Sequence, residues 1–230
     1  MPLIGSRGAA SSRGFGQFAQ GAAAPVYPYT IATGTKAPTA GSGGASPWPP
    51  TGWTSLQNAS VDDAFLTVPI VANLLFDTVN YATVYVGSNT YITLSAGSTV
   101  YSGLSASNPA LPKFMLGAAD NSYQRVASIS SSTNYTRVRY EGNGTTSGTP
   151  GSPGIVYEAT FFNSTMTGFP AVEVLVGVHN RTAPGIIIAT ATTALATSTI
   201  SANQSYVFQG NATGTAWTIY TGSYMAGTGY

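Results

Sequence analysis

The sequence predicts an all-β protein, an antiparallel β-sandwich of jelly-roll-like type, preceded by an extended N-terminal arm. Three observations carry that expectation. From Val61 onward, short alternating apolar and polar runs are separated by Gly, Asn, Ser and Pro, the pattern of half-buried strands and their turns. No segment sustains a helical period with caps. The fourteen Tyr add high β propensity through the same region.

Residues 1–46 are rich in Gly, Ala and Ser, with Arg7, Arg13, Phe15 and Phe18 interspersed. Such a segment cannot bury enough apolar surface to offset its conformational entropy, so it is expected to be an arm that orders only on a partner. Residues 47–60 open with Pro47-Trp48-Pro49-Pro50-Thr51-Gly52-Trp53 and read as a stiff polyproline-like connector whose indoles pack onto the next domain. Residues 61–230 are the expected sandwich. Its candidate strands are 65–71, then a hairpin of 83–87 and 91–94 around Ser88-Asn89-Thr90, with Asn89 expected to take positive φ. Residues 113–118, 124–129, 185–190, 205–209 and 216–221 follow the same pattern.

The clearest local construction is the pair 135–141 and 155–162, joined by a long Gly/Pro/Ser/Thr-rich surface loop over 142–154. Val138 and Tyr140 share a face with Tyr157, Ala159 and Phe161, and Arg137, Arg139 and Glu141 share the other with Glu158 and Thr160. One register satisfies both patterns and sets Arg139 opposite Glu158. The next strand, 171–178, turns its valines inward and Glu173 outward. About a third of the chain's charges are thereby expected on one exposed sheet face, where cross-strand ion pairs contribute roughly 0.2–1 kcal/mol each.

Composition narrows the function. The chain has no Cys, one His and seven carboxylates, and only 7% of its residues are charged, against roughly one quarter in ordinary soluble domains. Most enzyme chemistry draws on those missing groups or a metal they hold, so no catalytic residue, cofactor or metal site is read from the sequence. Adjacent Asp62 and Asp63 would point to opposite faces of a strand and form no dyad. Asp120-Asn121-Ser122 reads as turn chemistry. Loop oxygens for calcium exist, but neither EF-hand spacing nor a Gly-x-Asp repeat does. His179 reads as an exposed strand-end residue, without the Gly-x-Ser-x-Gly elbow of a hydrolase. A net charge of +1 with scattered Lys and Arg argues against a nucleic-acid partner. No apolar run reaches membrane-span length, and the first residues lack the apolar stretch of a secretory signal, so synthesis in a cytoplasm without export is expected. Tyr in loops or at the tail (Tyr101, Tyr224 and Tyr230) are the candidate surface contacts.

Two stretches carry a resemblance. The segment from Gly5 through Arg7, Arg13 and Phe15 to Gly16 resembles the short Gly/Ala/Arg/Phe start of many virion structural proteins of tailed phages, especially those of marine bacteria. The segment from Asp62-Asp63-Ala64-Phe65 to Val84-Tyr85-Val86-Gly87-Ser88-Asn89-Thr90-Tyr91-Ile92 is similar to β-sandwich modules of phage appendages and bacterial surface proteins, with Thr90 where those carry Gly. The resemblance implies a tail-fibre, head-fibre or capsid-decoration protein located in the virion. Its N-terminal arm would dock to capsid or tail proteins through Arg7, Arg13, Phe15 and Phe18, and its sandwich would assemble as a homotrimer or higher array and touch a host surface glycan. The alternative is a carbohydrate-binding or adhesin module of a bacterial surface protein. A depolymerase, resting on Glu158 or Glu173, comes third.

Overall fold

A computed structural model of the chain describes residues 27, 29–32, 34, 36–38, 48–101, 103–117, 119–122, 124–131, 133–143, 154–180 and 185–226. Its strands, in chain order, are β1 (Tyr29–Ala32), β2 (Thr54–Ala59), β3 (Phe65–Phe76), β4 (Val79–Gly87), β5 (Tyr91–Thr93), β6 (Lys113–Leu116), β7 (Gln124–Ser130), β8 (Tyr135–Gly142), β9 (Ile155–Phe162), β10 (Ala171–His179), β11 (Ile186–Ala189), β12 (Ala194–Ser198), β13 (Ser205–Gly210), β14 (Trp217–Thr221) and β15 (Ser223–Ala226). A single helical turn, α1 (Ser164–Thr167), is capped by Asn163, whose side chain accepts from the Thr165 N–H.

Seven strands form one antiparallel sheet in the order β14-β13-β10-β9-β8-β7-β2, six form a second in the order β12-β11-β6-β5-β4-β3, and β1 pairs with β15. The chain changes between the two large sheets after β2, β6, β10 and β12. The connectivity is that of two packed meanders more than of a jelly roll, whose chain would change sheets at most turns. Between the sheets lies one apolar core. Val138, Tyr140, Tyr157, Phe161 and Val174 of the first sheet meet Val68, Val84, Val86, Ile92 and Ile188 of the second. At one end Phe76, Phe114, Phe208 and Trp217 form an aromatic knot with ring centroids 5.3–5.9 Å apart. A bulge in β3 between Pro69 and Leu74 releases the Val71 N–H to Thr136 Oγ1 of the opposite sheet (2.9 Å), stitching the layers together.

The register of β8 against β9 is the one expected, with Arg139 opposite Glu158. The exposure expected for that face is corrected. Arg139 and Glu158 are 0% exposed, and Glu141, Thr160 and Glu173 are buried beside them. Over Glu173 and Gly177 the cover comes from the segment read as an arm. Lys36 stands beside Glu173 (3.7 Å), and the Pro38 ring lies 3.3 Å from where a Cβ on Gly177 would stand. From the connector, the Trp48 ring faces the Arg125 guanidinium at 5.4 Å. Residues 36–38 need no core of their own, because they lie against a face of the sheet that the body already supplies.

Other expectations shift at turns. Thr90, not Asn89, takes positive φ (62°). Its hydroxyl bonds the Asn89 and Gly117 carbonyls and accepts from the Ala119 N–H, which holds a conformation that a β-branched residue otherwise avoids. The β3–β4 hairpin turns on Asp77 and Thr78, both at positive φ (48° and 66°), a primed turn built without Gly or Asn. The connector contributes β2 to the first sheet and the arm contributes β1. Gly154 N–H closes the β8–β9 hairpin on the Gly142 carbonyl (2.8 Å), and residues 144–153 of the expected loop lie outside the described residues.

Candidate functional site

The corner where β1 and β15 meet the first sheet gathers the groups of interest. Glu173 Oε1 accepts from the Tyr224 N–H (2.7 Å), while Lys36 Nζ donates to the Tyr224 carbonyl (2.6 Å). One carboxylate and one ammonium thus clamp both backbone groups of Tyr224. Burial pushes the Lys36 amine below its ordinary range, Glu173 pulls it partly back, and Arg137 lowers it further. Behind the clamp, Arg139 donates to Glu141 Oε1 through Nε (2.9 Å) and Nη2 (2.8 Å), and to Glu158 Oε1 through Nη1 (2.7 Å). Arg137 and Arg125 flank the pair of carboxylates at 3.9 and 3.7 Å. Such a ladder orders a sheet face and its strap.

Beyond the clamp, Tyr29 and Tyr224 pack on Phe162 with centroids 5.6 and 5.1 Å away. Outside them opens a cleft of about 420 Å³ lined by Tyr27, Tyr29, Thr167, Gln209 and Tyr224 among others. A second hollow of about 230 Å³, lined by Phe169, Gln209, Asn211 and Tyr220 among others, adjoins it through Gln209. Among the described residues, none that lines either hollow is charged. Gly168 ends α1 at φ 82°, and the Tyr27 ring lies 2.5 Å from where its Cβ would stand, so a larger residue would expel that ring. Aromatic faces bordered by an amide and hydroxyls suit an uncharged ring-shaped ligand. Burial raises the hydroxyl pKa of both Tyr29 and Tyr224, which keeps them neutral hydrogen-bonding groups.

Of the residues singled out in the sequence, Tyr101 stands on the surface, 42% exposed. Tyr224 does not: it is 1% exposed, because the tail pairs with β1 instead of hanging free. Arg7, Arg13, Phe15, Phe18 and Tyr230 lie outside the described residues. Glu158 and Glu173, on which hydrolysis would rest, are both buried, the first in the ladder and the second in the clamp. His179 ends β10 half-buried instead of exposed, with its ring against Gly117. Asn121 is buried and donates across to the Ser88 carbonyl (2.8 Å) as well as to its neighbour Ala119, so it joins two loops rather than serving its own turn alone. Asp62 and Asp63, expected to point apart, stand instead with Asp120 so that their carboxylates converge within 4.8 Å. The sequence reading passed over Tyr27, Tyr29 and Gln209. The signal available was Tyr27-Pro28-Tyr29, an aromatic pair set in a Gly/Ala-rich stretch.

The fold and this corner define an all-β sandwich-like protein with an N-terminal strap and uncharged aromatic clefts. Compared with models of known families, with curated proteins and with solved structures, the chain matches none.

Proposed function

We propose that this protein is a non-enzymatic structural component of a tailed-phage particle, a tail fibre, head fibre or capsid decoration. It is made in the host cytoplasm and assembles with capsid or tail proteins and with itself, as a homotrimer or higher array. The observation that carries this reading is the strap. β1 pairs with β15, and Lys36 seats on the buried Glu173, so the segment that precedes Tyr27 leaves from one fixed corner of a rigid body. Arg7, Arg13, Phe15 and Phe18 in that segment are the residue types that dominate interface energetics. The edge strand β2, uncharged and with Leu56 exposed, offers a pairing edge for self-association. The resemblance of the first residues to virion proteins supports the same reading. Deleting residues 1–20, which leaves β1 intact, should abolish incorporation into particles while the body stays folded. Normal incorporation of that truncation refutes the docking role.

The two adjoining clefts favour a second reading, a carbohydrate-binding module that contacts a surface glycan. Glycan-array binding by the full chain that is lost in Tyr29→Ala and Gln209→Ala, without particle association, would favour it. A fragment that begins after Ala32 cannot serve, because β1 carries one wall of the larger cleft.

A further inference from the structure

The outer face of the first sheet carries polar groups that the fold leaves unused. Gln209 of β13 stands between Ala171 of β10 and Thr218 of β14. Its neighbour Phe208 fills the core, so the Gln209 side chain turns outward, where the two hollows adjoin. It is half-buried, yet among the described residues nothing hydrogen-bonds its amide. Tyr224 lines the larger hollow at 1% exposure, and its buried hydroxyl has no hydrogen-bond partner among the described residues. Tyr220 acts on that hydroxyl, which sets it on the side toward the smaller hollow. Half-buried and buried polar groups without partners are the groups a ligand satisfies.

The smaller hollow shows the opposite anomaly, large rings left in water. Phe169 and Tyr220 both line it, and each is 40% exposed. Single apolar residues at a surface need no explanation, but two rings bordering one hollow form a platform. The frame that presents them is tied down. Asn211 Oδ1 accepts from the Thr215 N–H (2.9 Å), Trp217 Nε1 donates to the Gly214 carbonyl (2.8 Å), and the Gly210 N–H donates to the Pro170 carbonyl (2.8 Å). A site formed before its ligand arrives loses little affinity to ordering.

We propose that the two hollows are consecutive subsites for one uncharged glycan chain of more than one sugar, with aromatic faces under its rings and the Gln209 amide bonded to its hydroxyls at the junction. This rests on the carbohydrate-binding reading above and names the class of sugar. An amide and a phenol hydroxyl both donate and accept, as sugar hydroxyls do. The described lining holds no cation to meet a uronate, sialate or sulfate, and the Lys36 ammonium at that corner is engaged by Glu173 and the Tyr224 carbonyl. An anion placed there would lose water without gaining a partner. At about 230 Å³ the smaller hollow falls below the roughly 300–1,000 Å³ of sites that hold a whole small ligand, while the larger, at about 420 Å³, lies within that range. The ligand is therefore one that fills the larger hollow and extends into the smaller. Thr218 and Tyr220 alternate with Ile219, which packs on the core, so the chain lies over side chains on the sheet face. An extended peptide would instead pair along the β14 edge.

The test places the full chain on an array of neutral oligosaccharides, graded from monosaccharide to hexasaccharide, beside uronate-containing, sialylated and sulfated ones. Binding should be confined to neutral members and should strengthen with length beyond the monosaccharide. Phe169→Ala and Gln209→Ala should each weaken it about ten-fold, while Tyr101→Ala, an exposed ring elsewhere, leaves it unchanged; circular dichroism checks that each variant is folded. No binding to any glycan overturns this proposal and the carbohydrate-binding reading together. Binding to acidic glycans alone, lost in Gln209→Ala, keeps that reading and overturns the neutral class. No gain beyond the monosaccharide, or binding that survives Phe169→Ala, overturns the second subsite. Weaker self-association of Phe169→Ala in sedimentation, with no glycan bound by the parent chain, assigns the rings to a subunit contact and overturns the site.

Discussion

Arg139 gives the sharpest test of how the strap and sheet are held. The change Arg139→Met keeps a similar length and apolar stem but removes the guanidinium. Three charge-assisted hydrogen bonds of 2.7–2.9 Å disappear, and Glu141 and Glu158, each at most 1% exposed, are left with more distant cations in Arg125 and Arg137. Breaking a buried pair by removing one member costs about 3–5 kcal/mol, because the remaining charge loses its close partner where water does not replace it. For a domain of this size each kcal/mol moves the thermal midpoint by about 2–4 °C, so the expected fall is about 10 °C.

Chemical denaturation of Arg139→Met, Glu158→Gln and the double variant measures the coupling directly. A cost below about 1 kcal/mol for Arg139→Met, the range of exposed ion pairs, would falsify the claim that this face is sealed. The structure and the original sequence expectation differ here by a factor of several, so one denaturation series separates them.

Three further outcomes follow from the described contacts. Lys113 is fully buried with Nζ donating to the Ala106 and Pro109 carbonyls (2.6 Å each), and burial pushes its amine down to about 8. The unfolded chain therefore holds that proton to higher pH than the folded one, and stability should rise as pH climbs from about 8 towards 10. Burial raises Tyr140, Tyr157 and Tyr224, so above about pH 10 the unfolded chain loses protons first and stability should fall. Denaturation midpoints measured across pH 7–11 should show this maximum, and Lys113→Met should flatten its rising limb. Phe208→Ala opens the aromatic knot and should cost about 3–5 kcal/mol by chemical denaturation. Gly168→Ala, at φ 82° and facing the Tyr27 ring, should cost about 1 kcal/mol or more and, by displacing Tyr27, weaken any ligand bound in the larger cleft, as titration against that ligand would show.

The central strands were legible because their two faces carry different chemistry. Between residues 135 and 162 the alternation of valine and tyrosine with charged residues admits one register, which β8 and β9 adopt, and the valines of β10 turn inward as their spacing requires. What the alternation cannot reveal is what covers the polar side, since charged residues beside a neutral Gly/Ala-rich segment read the same whether that segment floats or packs. β1 and β15 escaped notice for the same reason, because neither has a face to bury until the other is beside it. The Asp77-Thr78 turn carries no Gly or Asn, the usual markers of positive φ, and its hairpin was read only in part. The carboxylate cluster unites residues far apart in sequence, Asp62 and Asp63 with Asp120, through segments that Ser88 ties together by bonds to Ala64 and Asn121.

The scarcity of charge and its placement bear on how this protein meets its partners. Arg125, Arg139, Lys113, Glu141, Glu158 and Glu173 lie inside, and Lys36 and Arg137 are partly covered. Asp120 is partly covered too, so Asp62, Asp63 and Asp77 are the charged groups left exposed among the described residues. Surfaces of that kind associate through apolar contact and hydrogen bonds between neutral groups, with little electrostatic steering. Self-assembly of the body, freed of residues 1–20, should change by less than about two-fold between 50 and 500 mM salt, since screening acts on charges the interface lacks. A steep loss of assembly with salt would show instead that ion pairs join the subunits, and would displace β2 as the pairing edge, because its six residues carry no charge.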